Sequence, residues 1–182
     1  MSGKLKYLPV GLLAAAILAG AVFFFYQKKA GTLPEGEFTA AQILGEDYER
    51  YTHPSPAFSL EYPEGLKASA FNEGDGGQTI IFQGEEKIGF QIFISPYEGG
   101  EITQERILQE LPEAIIEEPT RVILNPEAEN PTKALIFWSN DPAIGKTREV
   151  WFAEGDYIYE ITTYAYLDAW LAGLMTTWEF ID

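Results

Sequence analysis

The chain has 182 residues, no cysteine and a formal net charge of −16 at pH 7. The lack of cysteine excludes disulfides, thiolate metal sites and a cysteine nucleophile. The acidic balance argues against binding to nucleic-acid phosphates or to anionic lipid headgroups. The length allows one membrane segment and one domain that can bury a core without covalent cross-links.

The first apolar segment, from Leu8 to Tyr26, predicts a transmembrane helix. It contains no charged residue, and about 18 to 20 apolar residues cross the roughly 30 Å hydrocarbon layer as a helix. Cleavage after Ala21, as in a secretory signal peptide, is the alternative. The uncut segment ends with an interfacial tyrosine and two lysines, as retained spans do. We therefore expect residues 1–29 to form a permanent anchor through which the protein contacts the membrane.

The charges that flank this segment bear on its orientation. Lys4 and Lys6 precede it, and Lys28 and Lys29 follow it. The positive amino terminus tips the count of basic residues toward a cytoplasmic N-terminus. We predict a single-pass membrane protein whose C-terminal domain is extracytoplasmic.

Residues 30–53 predict a juxtamembrane spacer. Glycine and proline interrupt its early part, and Thr39 could cap a short helix that runs through Tyr51. The only histidine of the chain, His53, falls at the end of this spacer. It has no second ligand near it in sequence, so we interpret it as a solvated linker residue rather than a metal ligand or a proton shuttle.

Residues 54–182 predict one domain built mainly from strands. Alternating apolar and polar residues, or β-branched and aromatic runs, are bounded by turn residues such as glycine, proline, asparagine and aspartate. The predicted strands are Phe58 to Tyr62, Gln78 to Gln83, Ile88 to Ile94, Arg121 to Leu124, Lys133 to Ser139, Lys146 to Ala153, Tyr157 to Tyr164 and Trp178 to Ile181.

Two amphipathic patterns interrupt the strands and predict helices. The first begins at Thr103 as N-cap, has Ile107, Leu108 and Leu111 on one face and stops near Pro112. The second covers Asp168 to Thr176 and has apolar residues at i, i+3, i+4 and i+7. Strands joined mostly by turns predict an antiparallel sheet, and the helices would flank it, which is an α+β architecture.

The order of these elements resembles the PsbP-like family, whose best-known members are extrinsic proteins of photosystem II. The run from Phe58 to Leu66 is similar to the opening Phe-x-x-x-Tyr-Pro-x-Gly-Trp of that family. Glu149 to Phe152, Tyr157 to Thr162 and Met175 to Phe180 are similar to its later strands and its last helix-to-strand junction. The resemblance covers about residues 54 to 182.

The resemblance implies an antiparallel sheet flanked by helices, in an α/β/α sandwich, on the non-cytoplasmic side of a membrane. It also implies a binding or accessory role. The chain departs from the photosystem proteins in its retained anchor, in having Leu66 where an aromatic residue is common, and in having no histidine within residues 54–182. The resemblance therefore implies no photosynthetic role for this chain.

The sequence contains no nucleophile elbow, no phosphate-binding glycine loop and no second histidine for a catalytic triad. Catalysis would have to depend on paired carboxylates in contrasting environments. We therefore expect a protein without catalytic residues, and we keep a carboxylate-dependent hydrolase of envelope material as the alternative.

The segment from Asn72 to Gly77 is the candidate metal site. Asn72, Glu73 and Asp75 supply oxygen ligands, and the glycines around them supply flexibility, as Ca²⁺ requires. The spacing does not match an EF-hand loop. A hairpin turn without a ligand is the other interpretation, and no other cofactor is predicted.

Two of the four tryptophans, Trp138 and Trp151, lie within predicted strands, whereas Trp170 lies in a predicted helix and Trp178 begins the short last strand. If both were exposed they would form a binding face, whereas core packing is the alternative use of such residues. Together these patterns predict a membrane-anchored accessory or interaction module of the cell envelope, whose partner is another envelope protein. A Ca²⁺-binding domain is a further alternative.

Overall fold

The computed structural model describes residues 47–84, 88–110, 112, 114–126, 131–141 and 145–181. The predicted anchor from Leu8 to Tyr26, and the spacer as far as residue 46, lie outside these ranges. Within them, no helix has the length and apolar character needed to cross a membrane.

The described residues form ten strands and two short α-helices. In chain order these are β1 (Tyr48–Pro54), β2 (Ala57–Pro63), β3 (Lys67–Gly74), β4 (Gly77–Gln83), β5 (Gly89–Pro96), α1 (Gln104–Glu110), β6 (Glu117–Leu124), β7 (Thr132–Asp141), β8 (Gly145–Glu154), β9 (Tyr157–Tyr164), α2 (Asp168–Met175) and β10 (Glu179–Phe180). A 3₁₀ turn, Ala165–Leu167, leads into α2.

The strands make one large and one small antiparallel sheet. The large sheet has the order β3-β4-β5-β9-β8-β7-β6, and the small sheet has the order β1-β2-β10. The large sheet consists of two meanders, β3 to β5 and β6 to β9, which join where β5 pairs with β9. The segment that contains α1 connects the two meanders.

The two faces of the large sheet are covered by different elements. We call one the main-core face, because Ile80, Ile92, Ile161 and Val150 lie on it beneath the small sheet and α2. We call the other the α1 face, because Leu135, Phe137, Trp151 and Ile158 pack there with Ile102 and Ile107 from the α1 segment. Alternate residues of each strand point to opposite faces, so each strand contributes to both.

The central strand β5 is buried on both faces, and all of its residues from Gly89 to Ile94 are buried. Such a strand is a nearly continuous apolar run rather than an alternating one. The edge strands β3 and β6 are mostly exposed, and each carries an irregularity in its register. Irregular edges discourage pairing with another chain.

Several predictions from the sequence are confirmed. All eight predicted strands are present, with ends that shift by a few residues. Thr103 caps α1, because its Oγ1 accepts a hydrogen bond of 3.2 Å from the backbone N–H of Arg106. The predicted apolar side of α2, from Leu167 to Leu174, is buried.

The balance between helix and strand differs from the predicted α+β class. The described domain is mostly antiparallel sheet, and its two helices have seven and eight residues. The sequence did not indicate β3, because its small and polar residues lack an apolar period. This strand forms through its hydrogen-bonded pairing with β4.

The helix predicted to run through Tyr51 is wrong for residues 48–51. These residues belong to β1, in which Tyr48 to Pro54 pair antiparallel with Ala57 to Pro63. The ladder with β2 satisfies the backbone groups that a short isolated helix would leave at its ends. Residues 39–46 of that predicted helix lie outside the described part.

His53 is not a solvated linker residue, since it is only 2% exposed. Its Nδ1 lies 3.0 Å from the carbonyl oxygen of Pro56, and its Nε2 lies 3.0 Å from Oε1 of Gln78. The amide of Gln78 is oriented by a 3.0 Å hydrogen bond from its Nε2 to the carbonyl oxygen of Ser55. The histidine therefore links β1 and the turn that follows it to β4 of the large sheet.

We expect His53→Ala to lower the free energy of unfolding by about 2–4 kcal/mol, because it removes a buried ring together with its contacts to Pro56 and Gln78. Thr52→Ala, at an exposed position of the same strand, is the control and should change stability by less than about 0.5 kcal/mol. Urea unfolding followed by circular dichroism measures both. Equal stability of the two variants would contradict this role.

Trp178 is the largest fully buried side chain and joins the two sheets. It stacks on Phe58 of β2, with ring centroids 4.3 Å apart and planes 6° apart. It also meets Phe152 and Tyr159 of the large sheet edge to face. Because offset and edge-to-face contacts are both favourable, this residue holds the small sheet against the large one.

We expect Trp178→Ala to cost about 3–5 kcal/mol of unfolding free energy. Trp138→Ala removes a half-buried ring near the surface and should cost about 1 kcal/mol. The same urea unfolding experiment compares the two. A loss at Trp178 no greater than the loss at Trp138 would show that the stack does not hold the sheets together.

Candidate functional site

A cavity of about 380 Å³ lies between α2 and strands β6, β7 and β8. Its volume falls within the range of small-ligand and side-chain pockets. The walls are mainly aliphatic, and a few polar groups lie among them. The apolar lining residues are Val122, Ile123, Leu124, Ile136, Val150, Leu171, Ala172 and Met175.

The cavity exists because β6 lies beyond the end of the main core. Val122 and Leu124 of this edge strand turn toward α2 and are only partly buried. The end of β6 is held by Asn125, whose Nδ2 donates a 2.8 Å hydrogen bond to the backbone oxygen of Trp178. Asn125 has a φ of 51°, in the left-handed region that asparagine tolerates.

An ion pair also borders the cavity. Arg148 Nε of β8 lies 2.8 Å from Asp168 Oδ1 at the start of α2, and the arginine side chain is only 14% exposed. Its guanidinium carbon also lies 4.3 Å from the centroid of the Trp138 ring. A planar guanidinium can pair with a carboxylate and stack on an aromatic face at once. These contacts fix the polar border of an otherwise apolar cavity.

Trp138 and Trp151 do not form one exposed pair. Trp138 is opposite Arg148, whereas Trp151 is opposite Leu135. These pairs belong to opposite faces of the sheet, and Trp151 is 6% exposed within the α1-face cluster. Trp138 alone is near the cavity, through its contact with Arg148.

The α1 face contains two buried carboxylates that the sequence did not single out. Glu149 of β8 and Glu160 of β9 are each 7% exposed. Glu149 is opposite Thr162, and Glu160 is opposite Trp151. The two glutamates are therefore diagonal neighbours on paired strands, a spacing that long side chains bridge.

Three neutral side chains donate hydrogen bonds to the carboxylate of Glu149. Thr147 Oγ1 donates to Oε1 at 2.7 Å, and Thr162 Oγ1 donates to Oε2 at 2.7 Å. The indole Nε1 of Trp151 also donates to Oε2, at 3.4 Å. Hydrogen bonds from several neutral donors are the usual way in which a protein holds a buried carboxylate.

Gln91 of β5 borders the same group. It is opposite Thr162 and diagonal to Glu160, and it is 8% exposed. Its Oε1 is buried and has no hydrogen-bond partner. An unsatisfied buried acceptor costs about 1–3 kcal/mol, so a group that meets this oxygen would recover that cost.

The predicted Ca²⁺ ligands lie at a hairpin. Asn72 and Glu73 are at the end of β3, and Asp75 is exposed in the turn before β4, with a φ of 47°. Among the residues that the structure describes, no group of three or more His, Cys, Asp or Glu is arranged to hold a metal ion. The Ca²⁺ site in this turn stays a prediction.

The sequence contained only a faint signal for Glu149 and Glu160. Each interrupts an apolar strand run, but a charged residue at an alternating position normally faces water. The pattern identifies a buried glutamate only when both faces of the strand are known to be covered. That coverage comes from α1 on one side and from α2 with the small sheet on the other.

Comparison with known proteins bears on the fold. No family model and no curated protein matches the chain. The solution structure of a cyanobacterial PsbP from Synechocystis matches with a TM-score of 0.52 and 10% sequence identity, over 82% of this chain and 100% of that one. The domain has a PsbP-like fold. The resemblance read from the sequence is thereby confirmed at the level of the fold.

Proposed function

We propose that this protein is a non-catalytic accessory module that binds another protein of the cell envelope. The PsbP-like fold carries the proposal, since it spans the full length of the cyanobacterial PsbP domain and suggests an accessory or interaction role. Function does not follow from a fold alone. The residues of this chain therefore have to supply the contact surface.

The cavity beside β6 is the best candidate for that contact. An apolar recess with a polar border suits a single apolar side chain of a partner, which would be buried at the centre of an interface. Ile123, one of the lining residues, is 57% exposed, so the apolar surface of the cavity reaches the solvent there. The irregular edge strands make strand addition a less favourable mode of binding.

Two exposed alanines of α2 offer a matched test. Ala172 lines the cavity, whereas Ala169 lies one turn earlier and does not line it. We expect Ala172→Trp to reduce partner binding about tenfold or more by filling the entrance. Ala169→Trp should leave binding unchanged, and both variants should fold with stability within about 0.5 kcal/mol of the parent, as surface substitutions usually do.

Photocrosslinking in intact cells measures the binding. A photoactivatable residue at Ile123 should capture a specific partner. The same residue at Phe71, which is 52% exposed on the opposite edge strand, should not. Ala172→Trp should remove the captured band. Equal capture from both edges, or capture that is insensitive to Ala172→Trp, would overturn the assignment of this surface.

We further propose that residues 1–29 anchor the domain and that it lies outside the cytoplasm. The uncharged segment from Leu8 to Tyr26 and the lysines before it support this arrangement. A reporter fused after Asp182 that is active only outside the cytoplasm should give a signal. Activity of a cytoplasm-specific reporter at this position would reverse the orientation.

A carboxylate-dependent hydrolase is the second candidate, and one observation favours it. Glu149 and Glu160 are two buried carboxylates on paired strands, as acid–base catalysis requires. They lie on the face opposite the cavity. Hydrolysis also needs a cleft that admits a substrate, and side chains that are 7% exposed offer little access. The interaction module therefore has the stronger support.

A further inference from the structure

Both ring nitrogens of His53, the only histidine of the chain, face oxygen atoms. Its Nδ1 lies 3.0 Å from the carbonyl oxygen of Pro56, and its Nε2 lies 3.0 Å from Oε1 of Gln78. The Nε2 of Gln78 in turn donates a 3.0 Å hydrogen bond to the carbonyl oxygen of Ser55. We call these three contacts the histidine latch, because they connect β1 and the turn after it to β4.

A neutral imidazole cannot make all three contacts of the latch. It has one N–H donor and one bare nitrogen, so one nitrogen of His53 would face an oxygen with no proton between them. A half-turn of the Gln78 amide would give Nε2 of the ring a donor, but it would also place Oε1 of Gln78 against the carbonyl oxygen of Ser55. With a neutral ring, at least one of the three contacts is therefore lost.

The imidazolium ion satisfies the whole latch, because it donates from both nitrogens. The Gln78 amide then keeps its orientation and its hydrogen bond to Ser55. Hydrogen bonds from a charged donor are stronger than those from a neutral one, and they favour the charged form of the group that donates them. Since His53 is 2% exposed, water does not easily replace a contact that the ring loses.

We propose that the histidine latch is a pH-sensitive connection between β1 and the large sheet. All three contacts are made when the ring is protonated, and one of them is lost when the ring is neutral. Histidine changes its charge within about pH 5 to 8. The stability that the latch contributes is therefore present at low pH and is lost as the pH rises through this range. Residues 30–46 lead into β1, so the latch acts on the strand that follows the predicted spacer.

The rings that pack against His53 do not change their charge in this pH range. Tyr51 of β1 and Phe58 of β2 stack with it, at centroid distances of 6.2 and 5.1 Å. Burial raises the pKa of Tyr51 above the ordinary value of a phenol, so Tyr51 stays neutral. Strand β4, which supplies Gln78, has no charged residue.

The charged residues of β1 and β2 are engaged elsewhere. Glu49 shares the face of His53 but is four residues away, and one of its oxygens accepts a 2.7 Å hydrogen bond from the Tyr62 hydroxyl. Arg50 and Glu61 form an ion pair of 3.9 Å. Alternation along the strands places this ion pair on the other face of the small sheet. The pH dependence of the latch therefore comes from His53 itself.

Nuclear magnetic resonance observes the latch directly, because the single histidine gives one pair of ring nitrogen signals. The sample is the full-length protein in detergent, labelled with ¹⁵N. From about pH 5 to about pH 8 we expect the ring to pass from two protonated nitrogens to one. The side-chain amide signals of Gln78 should shift with the same midpoint. A ring that keeps one protonation state throughout would overturn the proposal, as would a titration that leaves the Gln78 signals in place.

Gln78→Met breaks the latch without removing the histidine. It removes the acceptor for Nε2 of His53 and the donor to Ser55. In urea unfolding, the folding equilibrium constant of the parent divided by that of Gln78→Met should be about tenfold larger at pH 5 than at pH 8, as expected for one hydrogen bond from a charged group.

Gln83→Met is the matched control, because Gln83 is also a half-buried glutamine and lies at the other end of β4. Its ratio to the parent should be the same at both pH values. A ratio for Gln78→Met that does not depend on pH would overturn the proposal, and so would an equal pH dependence in Gln83→Met. If Gln78→Met does not fold, the titration of the parent protein decides the case.

Discussion

The antiparallel pairing of β5 with β9 is the interaction on which the rest of the structure depends. It joins two meanders that would otherwise be separate small sheets, and it places strands of one next to strands of the other. Ile92 and Ile161 meet at this junction on the main-core face, and Phe93 and Glu160 meet there on the α1 face. This one pairing therefore creates a seven-stranded sheet, and other elements cover both of its faces.

Covering both faces gives the two sides of the sheet different chemistry. On the main-core face, aromatic contacts such as the stack of Phe58 on Trp178 hold the small sheet in place. The cavity lies at the margin of this core. There the edge strand β6 extends beyond the core, and α2 covers β6 only in part. Apolar recesses at such margins are usual places for binding, because they are preformed and can exclude water.

On the α1 face the same sheet buries polar groups beside an apolar cluster. Glu149 is tolerated there because Thr147, Thr162 and Trp151 donate to its two oxygens. Sheet register explains why these donors converge. Thr147 and Trp151 lie two residues from Glu149 on the same strand, and Thr162 lies directly opposite it. Buried polar networks of this kind lower stability unless every member has a partner. The Oε1 of Gln91, on the same face, is buried without one.

The sequence by itself determined the elements whose signal is local. Alternation predicted eight strands, the Thr103 cap predicted the start of α1, and i, i+3, i+4, i+7 spacing predicted the buried side of α2. The run from Phe58 to Leu66 also indicated the PsbP-like fold. These signals are visible in the sequence because each depends on residues that are close together in the chain.

Only the tertiary structure decided the features that depend on distant residues. Strands β1 and β3 have little local preference and form because β2 and β4 pair with them. His53 is buried because Gln78, 25 residues away, lies against it. The cavity and the buried carboxylates of Glu149 and Glu160 likewise depend on which strands are neighbours and which faces are covered. Burial and register in these elements are set by packing between remote segments, so the pattern of any one segment does not predict them.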